Sequence, residues 1–377
     1  MRDCDIGVGH SRVDAMRQRA REEGLPLHAT LELTQRCNFR CVHCYVLPNA
    51  ASPTKELTAG EWLALVKEAA DAGCFSVLLT GGEPLLRSDF PEIYLGIRKM
   101  GIQVMIFTNA SRVDQRIVEV LQEAPPRLIE ITIYGASPQT YAAVTGRPEA
   151  YLEVMDGVQR LRDAGMPVAL KTILMNPNKH DFATIRAMRG AGERQVRYDA
   201  AIHARFPGDG EIQQYRVPPA ELVELEARHV PELQAEWERT AKREQTQAAK
   251  TAAAPGPQPL YTCAAGSISF YATATGMIQP CVSAARYGVQ WRPGKLLAAF
   301  RQSRQAIQSA FKPAGYACTG CAALPYCASC PAVAELETGI ETAVFPYACQ
   351  VAKTRQRRGV EKELAAKTSL VATPGIS

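Results

Sequence analysis

Cys37, Cys41 and Cys44 stand in the run Thr34-Gln35-Arg36-Cys37-Asn38-Phe39-Arg40-Cys41-Val42-His43-Cys44-Tyr45, three thiols at spacing C-x3-C-x2-C directly after the β-type segment His28 to Leu33. Three cysteines on one short loop can hold three corners of a cubane 4Fe-4S cluster and leave the fourth iron without a protein ligand. That is the arrangement needed if a small molecule is to bind that iron. Soft thiolates suit iron-sulfur clusters. A structural zinc ion is the alternative, but it wants a fourth Cys or His in the same array. His43 lies between two of the cysteines, and nothing else completes a finger-type pattern.

From Leu27 to Arg205 strand and helix signals alternate. His28 to Leu33, Phe75 to Thr80, Ile102 to Phe107, Leu128 to Tyr134, Val168 to Leu174 and Val196 to Ile202 are short apolar or β-branched runs. Between them lie segments with apolar residues at three and four residue spacing, among them Thr58 to Ala72, Arg112 to Glu123, Glu149 to Ala164 and Asp181 to Arg189. Thr58 and Asp181 read as N-caps. Repeated βα units predict an α/β fold with a parallel sheet and helices outside it, and six units fall short of a closed eight-unit barrel. Ligands gather at the carboxyl ends of strands in such sheets. Cys37 follows the first strand, and Gly81-Gly82-Glu83-Pro84 follows the second. A Gly-Gly pair after a strand also reads as a plain turn; the functional reading is that a backbone free of Cβ atoms lets a ligand approach closely. Glu83 would then either bond a ligand's ammonium group or brace the loop, and Pro84 fixes the turn.

With these two motifs one βα unit apart, the chain resembles the radical S-adenosylmethionine (SAM) superfamily. The resemblance implies a partial (β/α)6 TIM-like barrel. It implies that Cys37, Cys41 and Cys44 hold a 4Fe-4S cluster whose open iron is chelated by the amino and carboxylate groups of SAM. The backbone of Gly81, Gly82, Glu83 and Pro84 would receive the SAM amino group. One electron would then break the sulfonium bond to give a 5′-deoxyadenosyl radical that removes hydrogen from a substrate. By the same resemblance Thr108, Asn109 and Thr132 fall where polar contacts to SAM occur, and Lys171, Thr172 and Arg197 fall where its carboxylate or adenine is met. For each of these the plain alternative is a strand-end or barrel-interior polar residue. His43 replaces the aromatic residue usual before the third cysteine.

The other cysteines extend this reading. Of twelve, seven crowd between Cys263 and Cys349, and only Cys4 and Cys74 are left over. The amino terminus lacks an apolar signal core, so a cytoplasmic protein with metal-bound rather than disulfide-bonded thiols is expected. No stretch reaches the ~18 apolar residues of a membrane span. A formal charge of +5 over 377 residues carries no nucleic-acid stripe. After Arg205 a helix-rich stretch, Pro219 to Arg243, runs into an Ala/Pro/Gly-rich segment, and a second module starts near Tyr261. The expected division is 1–26 amino-terminal extension, 27–205 partial barrel, 206–260 helical bridge and linker, 261–352 cysteine-rich module, and 353–377 helix end and disordered tail.

The pattern Cys263-x12-Gly276-x4-Cys281, Cys318-x2-Cys321-x5-Cys327-x2-Cys330, Cys349 resembles the SPASM domain, a small module carrying two auxiliary iron-sulfur clusters. The resemblance assigns Cys318, Cys321, Cys327 and Cys349 to an outer cluster, and Cys263, Cys281 and Cys330 to an inner one with an open or non-cysteine fourth position. The x2 spacing before Cys330 departs from the usual x3. A zinc ribbon is the alternative for the C-x2-C pairs, though seven cysteines divide awkwardly into four-ligand sites.

Relatives of this kind mostly modify peptides, so the expectation is a ribosomal-peptide maturase that forms a crosslink on a precursor peptide. An electron donor such as flavodoxin or ferredoxin is implied. Met1 to Leu25 is too short for a peptide-recognition domain, which points to a separate leader-peptide-binding protein or a bare groove. The second reading is a small-molecule enzyme, such as a tetrapyrrole side-chain modifier. A third, of another class, is a non-catalytic iron-sulfur or zinc scaffold. Asp199, Asp209, Tyr134 and His203 are candidate proton acceptors, none assigned as catalytic. Lys353, Arg355, Arg357 and Arg358 form a basic cluster, read as a solvated helix face or a docking site for an acidic partner.

Overall fold

The computed structural model describes residues 10–46, 55–205, 210–247 and 256–371. Cys4, Asp209 and most of the Ala/Pro-rich segment lie outside them. The chain opens with α1 (His10–Glu23) and β1 (His28–Glu32) and then alternates through α2 (Ala59–Asp71), β2 (Ser76–Thr80), α3 (Phe90–Lys99), β3 (Gln103–Thr108), α4 (Gln115–Glu123), β4 (Leu128–Thr132), α5 (Pro138–Thr145), α6 (Ala150–Asp163), β5 (Val168–Ile173), α7 (Phe182–Ala187) and β6 (Arg197–Asp199). There follow α8 (Pro219–His229), α9 (Pro231–Gln247), β7 (Ser269–Ala272), β8 (Met277–Gln279), β9 (Val289–Gln290), α10 (Leu296–Gln308), α11 (Pro331–Thr338) and α12 (Pro346–Val371). All six expected strands form. The sixth is cut to three residues, because Ala200 to Ile202 leave the ladder after Asp199.

Two compact units divide the chain. The first comprises Met1–Ile173, Thr184–Asp199 and Thr262–Ala310 and contains the whole sheet, in the order β6-β5-β4-β3-β2-β1-β7-β8-β9. β1 to β6 are parallel, β7 adds parallel to the free edge of β1, and β8 and β9 continue antiparallel. Strand periodicity sorts the residues by face. Ala29 and Leu31, Val77 and Leu79, Val104 and Ile106, and Ile129 and Ile131 belong to a single hydrophobic core with Trp62, Leu65 and Val66 of α2. Each large side chain so buried stabilises by roughly 1.5–3 kcal/mol. α2 starts where the sequence placed its cap: Thr58 and Glu61 form a reciprocal capping box. Asp181 instead closes a 3-10 turn, Lys179–Asp181, ahead of α7.

The second unit comprises Leu174–Ala183, Ala200–Tyr261 and Phe311–Ser377. In it α12 lies against α8 and α9. Gly359 lets α12 come close to α9, since a Cβ there would sit 2.8 Å from the Trp237 carbonyl oxygen. The basic cluster on α12 divides: Arg355 makes a bidentate pair with the buried Glu226 of α8 and lies over the Trp237 ring at 5.8 Å, and Arg358 pairs with Glu224. These two arginines hold helices together. Only Lys353 and Arg357 stay exposed, as the reading of a solvated face requires.

Candidate functional site

The cysteine loop is anchored at both ends of its run. Leu33 N–H donates to the Thr80 carbonyl, Arg40 N–H to Thr145 and Val42 N–H to Val144, which ties Cys41 between two bonds to α5. Glu56 accepts from the Thr34 hydroxyl at 2.7 Å and from Gln35 N–H at 2.9 Å. Arg87, buried, donates to the carbonyls of Leu33 (2.7 Å) and Leu57 (3.0 Å) and pairs with Asp89. On this frame the three thiols lie within electrostatic reach of one another. Burial pushes Cys37 up to about 12, with Glu83 and Cys44 adding to it, and drives Cys41 higher still. Thiols this reluctant to ionise become thiolates once a cation is bound among them.

The glycine motif seals the same loop. A Cβ on Gly81 would sit 2.3 Å from the Thr34 carbonyl oxygen, and one on Gly82 would sit 2.4 Å from that of Arg36. Gly82 N–H donates to Thr34 O and Glu83 N–H to Arg36 O, both at 2.8 Å. Both glycines are therefore packed against the backbone of the chain's own cysteine loop. Glu83 is fully buried and braces the third strand: it accepts from the Thr108 hydroxyl at 2.7 Å, Asn109 N–H at 2.7 Å and Leu85 N–H at 3.1 Å. Pro84 opens a 3-10 turn, Pro84–Leu86. The Asn109 amide donates to Asn38 beside Cys37, so Thr108 and Asn109 link the two loops.

Burial pushes Glu83 up to about 7 against the pull of its three donors. A folded-state value above the ordinary one means that this group's contribution to stability is complete below about pH 4.5 and is lost as pH rises through about 7, by up to roughly 3 kcal/mol. Thermal melts between pH 5 and 8 should show that decline in the wild type and a flatter profile in Glu83→Gln. Equal slopes would refute the linkage.

Thr132 at the end of β4, Lys171 within β5 and Arg197 at the start of β6 occupy one cross-strand row. Lys171 and Arg197 both contact the buried Glu130 carboxylate, at 3.0 and 2.9 Å, and the Lys171 ammonium lies 3.5 Å from the centroid of the Phe107 ring. Burial pulls the Lys171 pKa down, opposed by Glu130. The sequence reading left both cations between a ligand contact and a barrel-interior role, and it missed Glu130. Its signal was strand alternation: Glu130, Thr132 and Tyr134 alternate with Ile129, Ile131 and Ile133, which are buried. Tyr134, one of the candidate bases, packs its ring beside Phe39, His43 and Tyr141.

Residues 31–188 match the Radical SAM superfamily. The chain carries a radical SAM domain. An AdoMet-dependent heme synthase of Methanosarcina barkeri is 33% identical over 151 residues, 40% of this chain and 43% of that one. A PqqA peptide cyclase of Xanthomonas oryzae is 25% identical over 185 residues, 49% of each chain. The chain thus spans less than half the length of the curated relatives it matches. The crystal structure of Streptococcus suis SuiB bound to precursor peptide SuiA superposes with a TM-score of 0.61 at 18% identity, over 90% of this chain and 81% of that one. At that identity the likeness is one of fold.

The donor set of the radical SAM domain fits a 4Fe-4S cluster. Among the described residues no three such side chains close on a single metal ion; a cubane takes one thiolate per iron and keeps its ligand sulfurs apart, which is compatible with this arrangement. Farther along, Cys263 and Cys281 belong to the first unit, whereas Cys318, Cys321, Cys327, Cys330 and Cys349 belong to the second. There burial raises the Cys327 thiol, the Ser329 N–H opposes it, and Cys318, Cys349 and Cys321 add to the rise, so each of these three lies within electrostatic reach of Cys327. Cys74 is buried, its thiol directed at the Ser76 carbonyl. Of the remaining base candidates, Asp199 ends β6 and His203 holds the Ala204 carbonyl at 2.9 Å. No described helix is long and apolar enough to cross a membrane.

Proposed function

We propose that this protein is a cytoplasmic radical SAM enzyme that cleaves SAM reductively and takes hydrogen from a peptide, as a maturase that crosslinks a ribosomally made precursor. The observation that carries the reading is the pairing of the Cys37–Cys44 loop with Gly81 to Pro84 at adjacent strand ends. When bound, a cluster on Cys37, Cys41 and Cys44 would supply one electron to the sulfonium of SAM. The chain's own part is to hold that place rigid: Glu83, Arg87 and Glu56 fix the two loops, and Thr132, Lys171 and Arg197 offer polar and cationic groups on the neighbouring strands.

Auxiliary clusters would give an electron from the product radical somewhere to go. The electrostatic influence of Cys318, Cys321 and Cys349 on Cys327 supports an outer one. The peptide reading is supported by the likeness to a PqqA peptide cyclase and by a fold shared with SuiB. A flavodoxin or ferredoxin donor and a separate leader-binding protein belong to the same proposal. A small-molecule reading is favoured by the higher identity to a heme synthase. Anaerobically reconstituted protein, reductant, SAM and a candidate precursor peptide should yield 5′-deoxyadenosine and a peptide lighter by two hydrogens. Deoxyadenosine formation stimulated by a tetrapyrrole and not by peptide would reverse the order of the two readings.

A further inference from the structure

We infer that the exposed surface around Cys318, Cys321 and Cys327, with Lys312, Lys353 and Arg357 at its rim, is the docking site of an acidic one-electron carrier protein, a step that rests on the reading of these cysteines and Cys349 as an outer cluster.

The surface carries no charge where it covers the thiols. From Pro313 to Ala334 the chain holds no Asp, Glu, Lys or Arg, and Ala317, Thr319, Gly320, Ala322, Leu324 and Pro325 are all exposed around the cysteines. Leu324 and Phe311 are half exposed. Three turn bonds shape the loop: Cys321 N–H to Cys318 O at 3.3 Å, Leu324 N–H to Cys321 O at 3.0 Å and Cys327 N–H to Leu324 O at 3.0 Å. Side chains this small leave little between the sulfurs and the surface of a partner.

Cations frame this patch. Gln356 Nε2 donates to the Ala322 carbonyl at 3.0 Å, which brings α12 against the cysteine loop, and Lys353 and Arg357, exposed and one turn apart on that helix, border Gln356. Lys312 lines an open pocket with Tyr316, Ala317 and Thr319, next to Cys318. Arg355 and Arg358 spend their charge on Glu226 and Glu224, whereas Lys312, Lys353 and Arg357 make no ion pair among the described residues. Along α12 the first carboxylate is Glu361. An uncharged centre inside a polar rim is the anatomy of a protein interface, and a rim of one sign steers partners of the other. Small contacts of this kind suit brief redox encounters. One electron is exchanged between carrier and cluster, given up by one and taken by the other, and no atom is transferred.

The test is an anaerobic titration of dye-labelled oxidised flavodoxin, an acidic carrier, with the full reconstituted chain, read by fluorescence anisotropy. Lys353→Glu combined with Arg357→Glu should raise Kd about tenfold at roughly 0.1 M salt, and the difference should close as salt rises to about 0.5 M. Lys312→Glu alone should raise it about threefold. Lys99→Glu combined with Arg116→Glu makes the same change of net charge at exposed positions of α3 and α4, and should leave Kd within about twofold of the wild type. Equal weakening by the two pairs, or no binding by the wild type, overturns the docking site. So does a reversal at 353 and 357 that weakens binding of a candidate precursor peptide and leaves flavodoxin unaffected, which would give the surface to the substrate. Full iron in a chain carrying Cys318→Ala and Cys321→Ala would instead sink the outer-cluster reading, whatever the affinities.

Discussion

Replacing Cys41 and Cys44 together with alanine should remove about four iron atoms per chain and lower SAM-dependent 5′-deoxyadenosine formation by more than roughly a thousandfold, well beyond the 10–100-fold typical of losing an outer partner of a metal site. The two thiols cannot be replaced locally. Val42, His43 and Tyr45 around them offer only the imidazole, whose Nδ1 is buried without a partner and whose pKa burial pulls down to about 4. Iron held by the carboxy-terminal cysteines should stay, because Cys318, Cys321, Cys327 and Cys349 group in a different compact unit. Iron analysis with product quantification checks both statements. Undiminished SAM cleavage in the double variant would sink the catalytic assignment and favour the scaffold reading.

Gly82→Ala should be strongly damaging to the pairing of the two loops. Its Cβ would lie 2.4 Å from Arg36 O, 2.7 Å from the Arg36 carbonyl carbon and 2.8 Å from Gln35 O, all backbone atoms of the cysteine loop. Neither side can yield cheaply. Gly82 N–H is bonded to Thr34 O and Glu83 N–H to Arg36 O, so opening the gap breaks the pairing that aligns the two loops. A loss of roughly 3 kcal/mol or more is expected, in the range of strongly overpacked sites, with weakened SAM binding in proportion to the displacement of Cys37. Gly60→Ala serves as the control. It lies in α2 with nothing within 4 Å of a new Cβ, and should stabilise slightly, by about 0.5–1 kcal/mol. Chemical denaturation of the three proteins, with SAM affinity by calorimetry, measures the contrast. Equal stability for Gly82→Ala and wild type would show that the two loops do not pack as described.

The sequence determined the parts whose signals are local. The C-x3-C-x2-C loop, the strand before it, the Gly81–Pro84 turn and the βα alternation are short patterns in which spacing alone restricts the chemistry or the period. Thr58 and Glu61 likewise announce their own capping box. What only tertiary structure decided is where each polar side chain spends its hydrogen bonds, since partners come from segments far apart in the chain. Glu83 is claimed by Thr108 and Asn109, Lys171 and Arg197 by Glu130, and Arg355 by Glu226. The same holds for β7. Four residues, Ser269–Ala272, are too short to declare a strand, and the unpaired edge of β1 makes them one. Glycine at 81 and 82 was legible, but its reason was not: the obstacle that forbids a Cβ is a carbonyl nearly fifty residues earlier, brought there by the parallel pairing of β1 with β2.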